Sequence, residues 1–196
     1  MEGVTTMNKD DMKILYAYSL FNGSINTQGK YCTLCQTVLN ENMDFCDKLI
    51  TVLDRLKIGY KLYKHVTNQT RLVTKTHSVF DRIYSRTRHD SHKYIDPHFI
   101  KMFDVEVLAI WCMASLYKDD DYLRLYSGYF VHYDREILKK HIKNKFYVEM
   151  NLNKHGHGYI PKASHNSLMQ AIWCHLAPSF RLKFERFAPL QGDEIV

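Results

Sequence analysis

Two apolar runs of helical length constrain this chain more than anything else in it. The first is LYAYSLFNG, from Leu15 to Gly23, and the second is LAIWCMASL, from Leu108 to Leu116. Each ends abruptly, and the chain after each has strand-like alternation. Neither approaches the roughly 18 residues that a membrane crossing requires. A helix that is apolar on every side must be buried in protein. The same order of elements follows each run, so the chain reads as two copies of one unit around a shared centre.

Within the first unit, residues 11–21 form the first helix, with Asp11 near its start and Gly23 ending it. Residues 30–39 alternate as a strand with one polar face, Tyr31, Thr33, Cys35 and Thr37. Residues 42–58 carry a helical stripe of Phe45, Leu49, Val52, Leu53 and Leu56, stopped by Gly59. A hairpin over residues 60–66 and 70–76 turns at Asn68 and Gln69, and a helix over 77–85 closes the unit. The stretch 86–94 is polar and aperiodic, which predicts a linker. Pro97 opens a short helix, and Asp104 caps the second apolar helix. A strand over 121–127, a basic helix over 132–142, a strand over 145–152, a strand over 159–162 and a helix over 164–175 repeat the earlier order. The predicted domains are 12–85 and 97–184, joined through 86–96.

The chain has 196 residues and a formal net charge of +6, and a basic balance favours polyanion partners. The N-terminus is polar and lacks the basic-then-apolar order of a secretion signal, which predicts a cytosolic, nucleoid or organelle-matrix protein, not secreted and with no membrane partner. Five cysteines without such a signal predict reduced thiols. Cys32 and Cys35 lie on opposite faces of a strand, where they cannot share a metal. His155, His157 and His165 form too loose a pattern to predict a metal site. Two antiparallel sheets, each with one polar face, would together make a basic saddle suited to the major groove. The outward residues of that saddle are predicted to be Lys61, His65, Arg71, Arg124, Tyr126, Lys145, Tyr147 and Asn151.

The runs ending in Asn22-Gly23 and Ser115-Leu116 resemble the LAGLIDADG helix of homing endonucleases. RLVTKTHSVF from Arg71 to Phe80, the approach from Tyr94 through Pro97, YIPK from Tyr159 to Lys162, and PSFRLKF from Pro178 to Phe184 are similar to stretches of its single-chain branch, in the same order. The resemblance implies an α+β fold of two pseudo-symmetric αββαββα halves forming a DNA-binding saddle in one monomer. It implies that the two motif helices pack together and end at the scissile phosphates. One carboxylate from each would act there with Mg²⁺ on an in-line displacement. It also puts Lys75 and Lys162 beside the central pocket, where they would contact phosphate.

The carboxylates are missing. Asn22 and Ser115 stand at the two acidic positions, Ala114 and Leu116 replace the usual neighbours of the second, and Ile110 is bulkier than the small residue expected at the helix contact. Neutral oxygens are poor ligands for a strongly hydrated Mg²⁺. The expected function is therefore sequence-specific binding of double-stranded DNA without cleavage or cofactor. One alternative is an active Mg²⁺-dependent endonuclease that has moved its ligands to Asp119, Asp120 and Asp121. A further alternative is a maturase-like partner of structured RNA.

Overall fold

The computed structural model describes residues 7–89, 92–115, 118–119 and 122–189. Helix α1 (Lys9–Phe21) starts where the Asn8 side chain accepts from the Asp11 amide at 2.7 Å. Strands β1 (Ser24–Gln28) and β2 (Tyr31–Leu39) follow as a hairpin whose turn Gly29 makes at φ +62°. A 3-10 turn (Asn40–Cys46) leads into α2 (Asp47–Arg55). The continuous helix expected over 42–58 is thus split, and Lys57, not Gly59, takes the left-handed position that ends it, at φ +57°. The Ile58 amide closes that end on the Leu53 carbonyl at 2.8 Å. Strands β3 (Tyr60–Val66) and β4 (Gln69–Thr74) and helix α3 (Ser78–Thr87) complete the first unit.

The stretch expected to be an aperiodic linker contains a small hairpin, β5 (Arg88–His89) and β6 (His92–Lys93). Helix α4 (Pro97–Met102) leads to α5 (Val105–Ser115), whose start is capped by Asp104 as expected, through the amides of Glu106 and Val107 at 3.1 Å each. The second unit continues with β7 (Lys118–Asp119), β8 (Tyr122–Leu125), α6 (His132–Phe146), β9 (Asn151–Leu152), β10 (Gly158–Ile160) and α7 (His165–Ile172). The last helix is α8 (Pro178–Lys183).

Each unit therefore runs αββαββα, and the two four-stranded antiparallel sheets are ordered β1-β2-β4-β3 and β7-β8-β10-β9. Ile14–Phe21 of α1 and Val107–Met113 of α5 are buried without a break, and the two helices pack on one another at the centre. Phe21 stacks on Trp111 with ring centroids 4.9 Å apart, and Phe99, Phe103 and Phe130 surround Phe21. At the other ends of these helices, the Lys13 ammonium bridges Asp104 at 2.7 Å and Glu106 at 3.0 Å, and Lys48 from α2 reaches Glu106 at 2.6 Å. Two core aromatics would leave polar groups unmet if they lacked partners. Tyr16 donates to Asp96 at 2.9 Å, and Tyr18 donates to the Phe45 carbonyl. Among the described residues no helix is long and apolar enough to cross a membrane.

Candidate nucleic-acid interface

Antiparallel partners present side chains on the same face, so the register fixes which residues share a surface. In the first sheet Leu34, Leu72 and Ile25 point into the core. Among the cross-strand rows of the opposite face, Tyr63, Arg71 and Thr37 form one, and Lys61, Val73, Cys35 and Ser24 form the next. Lys61 and Arg71, both expected outward, are thus diagonal neighbours on one face. The middle of this face is less polar and less open than the alternation predicts. Thr33 and Cys35 are buried, and the Asn26 side-chain amide of the neighbouring β1 donates to the Cys35 sulfur at 3.3 Å. His65 does not belong to either row. The register shifts between Lys64 and Val66, so His65 is the extra residue of a bulge, which breaks the inward–outward alternation. Lys75 lies just past β4, exposed, with its stem across Gly59 and its amide bonded to the Gly59 carbonyl at 2.6 Å.

Among the described side chains, the second sheet offers the row Asn151, Tyr159 and Arg124. Two expected members of this face are elsewhere. Helix α6 continues to Phe146, so Lys145 sits in its last turn and donates to the Phe103 carbonyl. Tyr147 caps that helix in the left-handed conformation at φ +58°, its side chain 84% exposed. The expected strand over 145–152 alternates in burial as predicted, with Phe146, Val148 and Met150 inside, but only Asn151 and Leu152 pair with a neighbour. Lys162 opens a 3-10 turn after Pro161 instead of ending the strand. Tyr126, just beyond β8, stacks on His157 with centroids 4.8 Å apart and accepts through its carbonyl from the Trp111 indole at 3.2 Å. Burial, with His155, Arg135 and Arg124 nearby, lowers the His157 pKa. His165 turns away to the Ile160 carbonyl, and no three potential metal-ligating side chains cluster among the described residues.

In chain order each central helix is followed by the first strand of a sheet, α1 by β1 and α5 by β7. Asn22 is the exposed C-cap of α1, its amide bonded to the Tyr18 carbonyl. Gly23 follows where nothing larger fits, since a Cβ would come within 2.6 Å of the Tyr18 oxygen and 2.9 Å of Leu34. Ser115, the last residue of α5, is only 1% exposed, and its hydroxyl has no hydrogen-bond partner among the described residues. Beneath the end of α1 is a group that the sequence reading assigned to the linker. Lys93 is 6% exposed, and its ammonium donates to the carbonyls of Ser19, Leu20 and Gly23 at 3.1, 2.7 and 3.0 Å. It also lies 4.4 Å from the centre of the Tyr129 ring, whose hydroxyl donates to the Phe21 carbonyl at 2.6 Å. Burial, with Arg88 nearby, pulls the Lys93 pKa down to about 7. The negative end of the helix and three acceptors favour the ammonium. Polar composition concealed this lysine, and only its four apolar stem carbons hinted that it could be buried.

A model of the LAGLIDADG DNA endonuclease family matches residues 28–169. The chain belongs to this family. The homing endonuclease I-WcaI, solved bound to its DNA recognition sequence, superposes with a TM-score of 0.70 at 20% identity, over 91% of this chain and 87% of that one. I-DmoI in complex with DNA and Ca gives 0.62 at 13% identity, over 88% and 96%. Full-length DUF199/WhiA from Thermatoga maritima gives 0.53 at 10% identity, over 91% of this chain and 59% of that one. No curated protein matches the chain. Among the described residues the helix ends present the neutral amide of Asn22, the buried hydroxyl of Ser115 and the Lys93 ammonium beneath the α1 carbonyls, none of them the anionic oxygen that a hard divalent cation favours. Asp120, Asp121 and Leu116 lie outside the described residues, as does the side chain of Asp119.

Proposed function

We propose that this chain binds double-stranded DNA in a sequence-specific manner and does not cut it, as a regulator or a repurposed mobile-element protein. The two halves, 12–85 and 97–184 across the linker 86–96, would straddle the duplex as one monomer in a cytosolic, nucleoid or organelle-matrix setting. Membership of an endonuclease family, the polar sheet faces and the net charge of +6 support DNA as the partner. The observation that carries the loss of cleavage is the pair of helix ends. The exposed amide of Asn22 and the hydroxyl of Ser115, unpartnered among the described residues, stand where two carboxylates would be needed, and Lys93 adds positive charge beside the first. The contact set is Lys61, Arg71, Arg124, Tyr126, Asn151, Lys75 and Lys162, with Tyr63 and Tyr159 added by the register.

The test is to select a bound sequence from randomised duplexes and incubate it with excess protein and Mg²⁺ or Mn²⁺. No cleavage is expected. Robust cutting by the natural chain would overturn the reading, and its loss in an Asp119→Ala, Asp120→Ala, Asp121→Ala triple variant would give the metal to that turn. Cutting only after Asn22→Asp and Ser115→Asp would trace the inactivity to those two positions.

A further inference from the structure

A helix leaves its last four carbonyls short of partners within it. In α1 all four are nonetheless bonded. The Tyr18 carbonyl accepts from the amides of Asn22 and Gly23. Those of Ser19 and Leu20 accept from the Lys93 ammonium at 3.1 and 2.7 Å, and that of Phe21 accepts from the Tyr129 hydroxyl at 2.6 Å. Gly23, one residue past the cap, turns a further carbonyl to the same ammonium at 3.0 Å. The end of α1 is thus closed by one side chain from the stretch between the halves and one from the second half.

The enclosure matches an ammonium in number, charge and distance. A lysine ammonium has three N–H donors, and the carbonyls of Ser19, Leu20 and Gly23 use them. Those oxygens lie at the negative end of the helix dipole. The Tyr129 ring, 4.4 Å from the ammonium, adds a π face that also favours a cation. The lysine is anchored at its other end as well, since its amide donates to the Tyr129 carbonyl at 3.1 Å and its backbone bridges to Phe130. The oxygens stand at hydrogen-bonding distance from the centre of charge. Mg²⁺ meets oxygen at about 2.0–2.1 Å and Ca²⁺ at about 2.3–2.6 Å, so either ion would need the carbonyls drawn inward as well as the ammonium removed.

We infer that the end of α1 is a primary-ammonium site filled by the chain's own Lys93, which keeps a divalent cation out. The positive charge at this helix end is resident in the fold. A carboxylate placed at position 22 would find the carbonyls on both sides of it, those of Phe21 and Gly23, already bonded, and an ammonium beside them. Two changes, at Asn22 and at Lys93, then separate this helix end from a metal site. The inference deepens the non-cutting reading above and rests on it for its bearing on function.

The experiment has two arms. In the first, Lys93→Ala removes the ammonium and its stem, and n-propylammonium carries the same atoms. Thermal unfolding of this variant is followed with n-propylammonium or, at matched ionic strength, with n-propanol. The amine should raise its Tm by about 2 °C or more beyond the alcohol and should not do so for the natural chain. If Lys93→Ala is unfolded alone, recovery of its circular dichroism with the amine and not with the alcohol is the same result. No difference between amine and alcohol would overturn the ammonium site, whatever the stability of the variants. The second arm titrates Mn²⁺, read by electron paramagnetic resonance of the free ion, in a background of Asp119→Ala, Asp120→Ala and Asp121→Ala so that those carboxylates take no part. Adding Asn22→Asp should give no new binding. Adding Asn22→Asp with Lys93→Met should bind Mn²⁺ at least about tenfold more tightly, because no ammonium repels the ion. Equal affinity with and without Lys93 would overturn the exclusion. Neither arm reads cleavage, so a failure in them strikes this inference alone, and cutting by the natural chain strikes the non-cutting reading.

Discussion

Lys93 and Gly23 show how tightly single residues are bound into the end of α1. Replacing Lys93 by Met keeps the bulk of the stem but removes the donors for the carbonyls of Ser19, Leu20 and Gly23. Leaving buried acceptors unmet costs about 1–3 kcal/mol for each group, reduced where the structure relaxes. Lys93→Met should therefore lower stability by at least about 2 kcal/mol, read as an earlier urea midpoint at unchanged slope. Gly23→Ala should cost about 1–3 kcal/mol through overpacking against backbone and Leu34, seen in the same titration. The two positions were not equally legible. Gly23 stood out in the sequence because it ends an apolar run. Lys93 did not, because a buried ammonium is paired through tertiary contacts with backbone that is distant in the chain.

At the scale of elements, the helix starts are held by charge and should respond to acid. Burial pushes the Asp104 carboxyl upward, but the Lys13 ammonium and the amides of Val107 and Glu106 outweigh it and hold the pKa below the ordinary carboxylate value. Burial of Glu106 is likewise outweighed by Lys48 and Lys13. Carboxyls depressed in the folded state contribute stability that is fully present above their unfolded pKa, roughly 4. That contribution is lost as pH falls through the lower folded values. Thermal unfolding followed between pH 5 and 2 should show a steep fall in Tm, and Lys13→Met should make the fall shallower. The elements themselves were largely readable. Uninterrupted apolar runs marked α1 and α5, and Asp104 marked the start of α5. The failures came where two periodicities compete. Phe146, Val148, Met150 and Leu152 satisfy a strand, yet Leu138, Ile142 and Phe146 also continue the buried side of α6, and the helix takes residues through Phe146. His65 was misplaced for a related reason, since period-two counting has no way to see a bulge.

For the whole molecule, the halves are interlocked beyond the central helices. Asp44 in the 3-10 turn of the first half accepts from the Ser179 amide of α8 at 2.7 Å and from its hydroxyl at 2.5 Å, and Phe45 meets Phe180. The Ile95 amide donates to Asp134 in α6 at 2.9 Å, tying the stretch between the halves to the second unit. Element order in the sequence suggested two copies, but these ties join residues 135 positions apart or anchor the linker to the second unit 39 positions on, and no local pattern encodes them. Ties of this kind hold the two halves in place before any partner is met, which lowers the ordering cost of binding. On the duplex-binding proposal, the exposed Lys75 and Lys162, one from each half, would meet phosphate charge, and affinity should carry the signature of counterion release. With roughly six to ten phosphates neutralised, the Kd for a selected site should rise by about 10³- to 10⁵-fold between roughly 50 and 200 mM salt. The double change Lys75→Ala, Lys162→Ala should weaken binding more than about tenfold at low salt and reduce the slope of log Kd against log salt by about two counterions. Fluorescence anisotropy across a salt series measures both quantities. A slope that does not change with the double variant would take these lysines out of the interface, and a Kd insensitive to salt would show that the saddle does not meet the backbone of a nucleic acid.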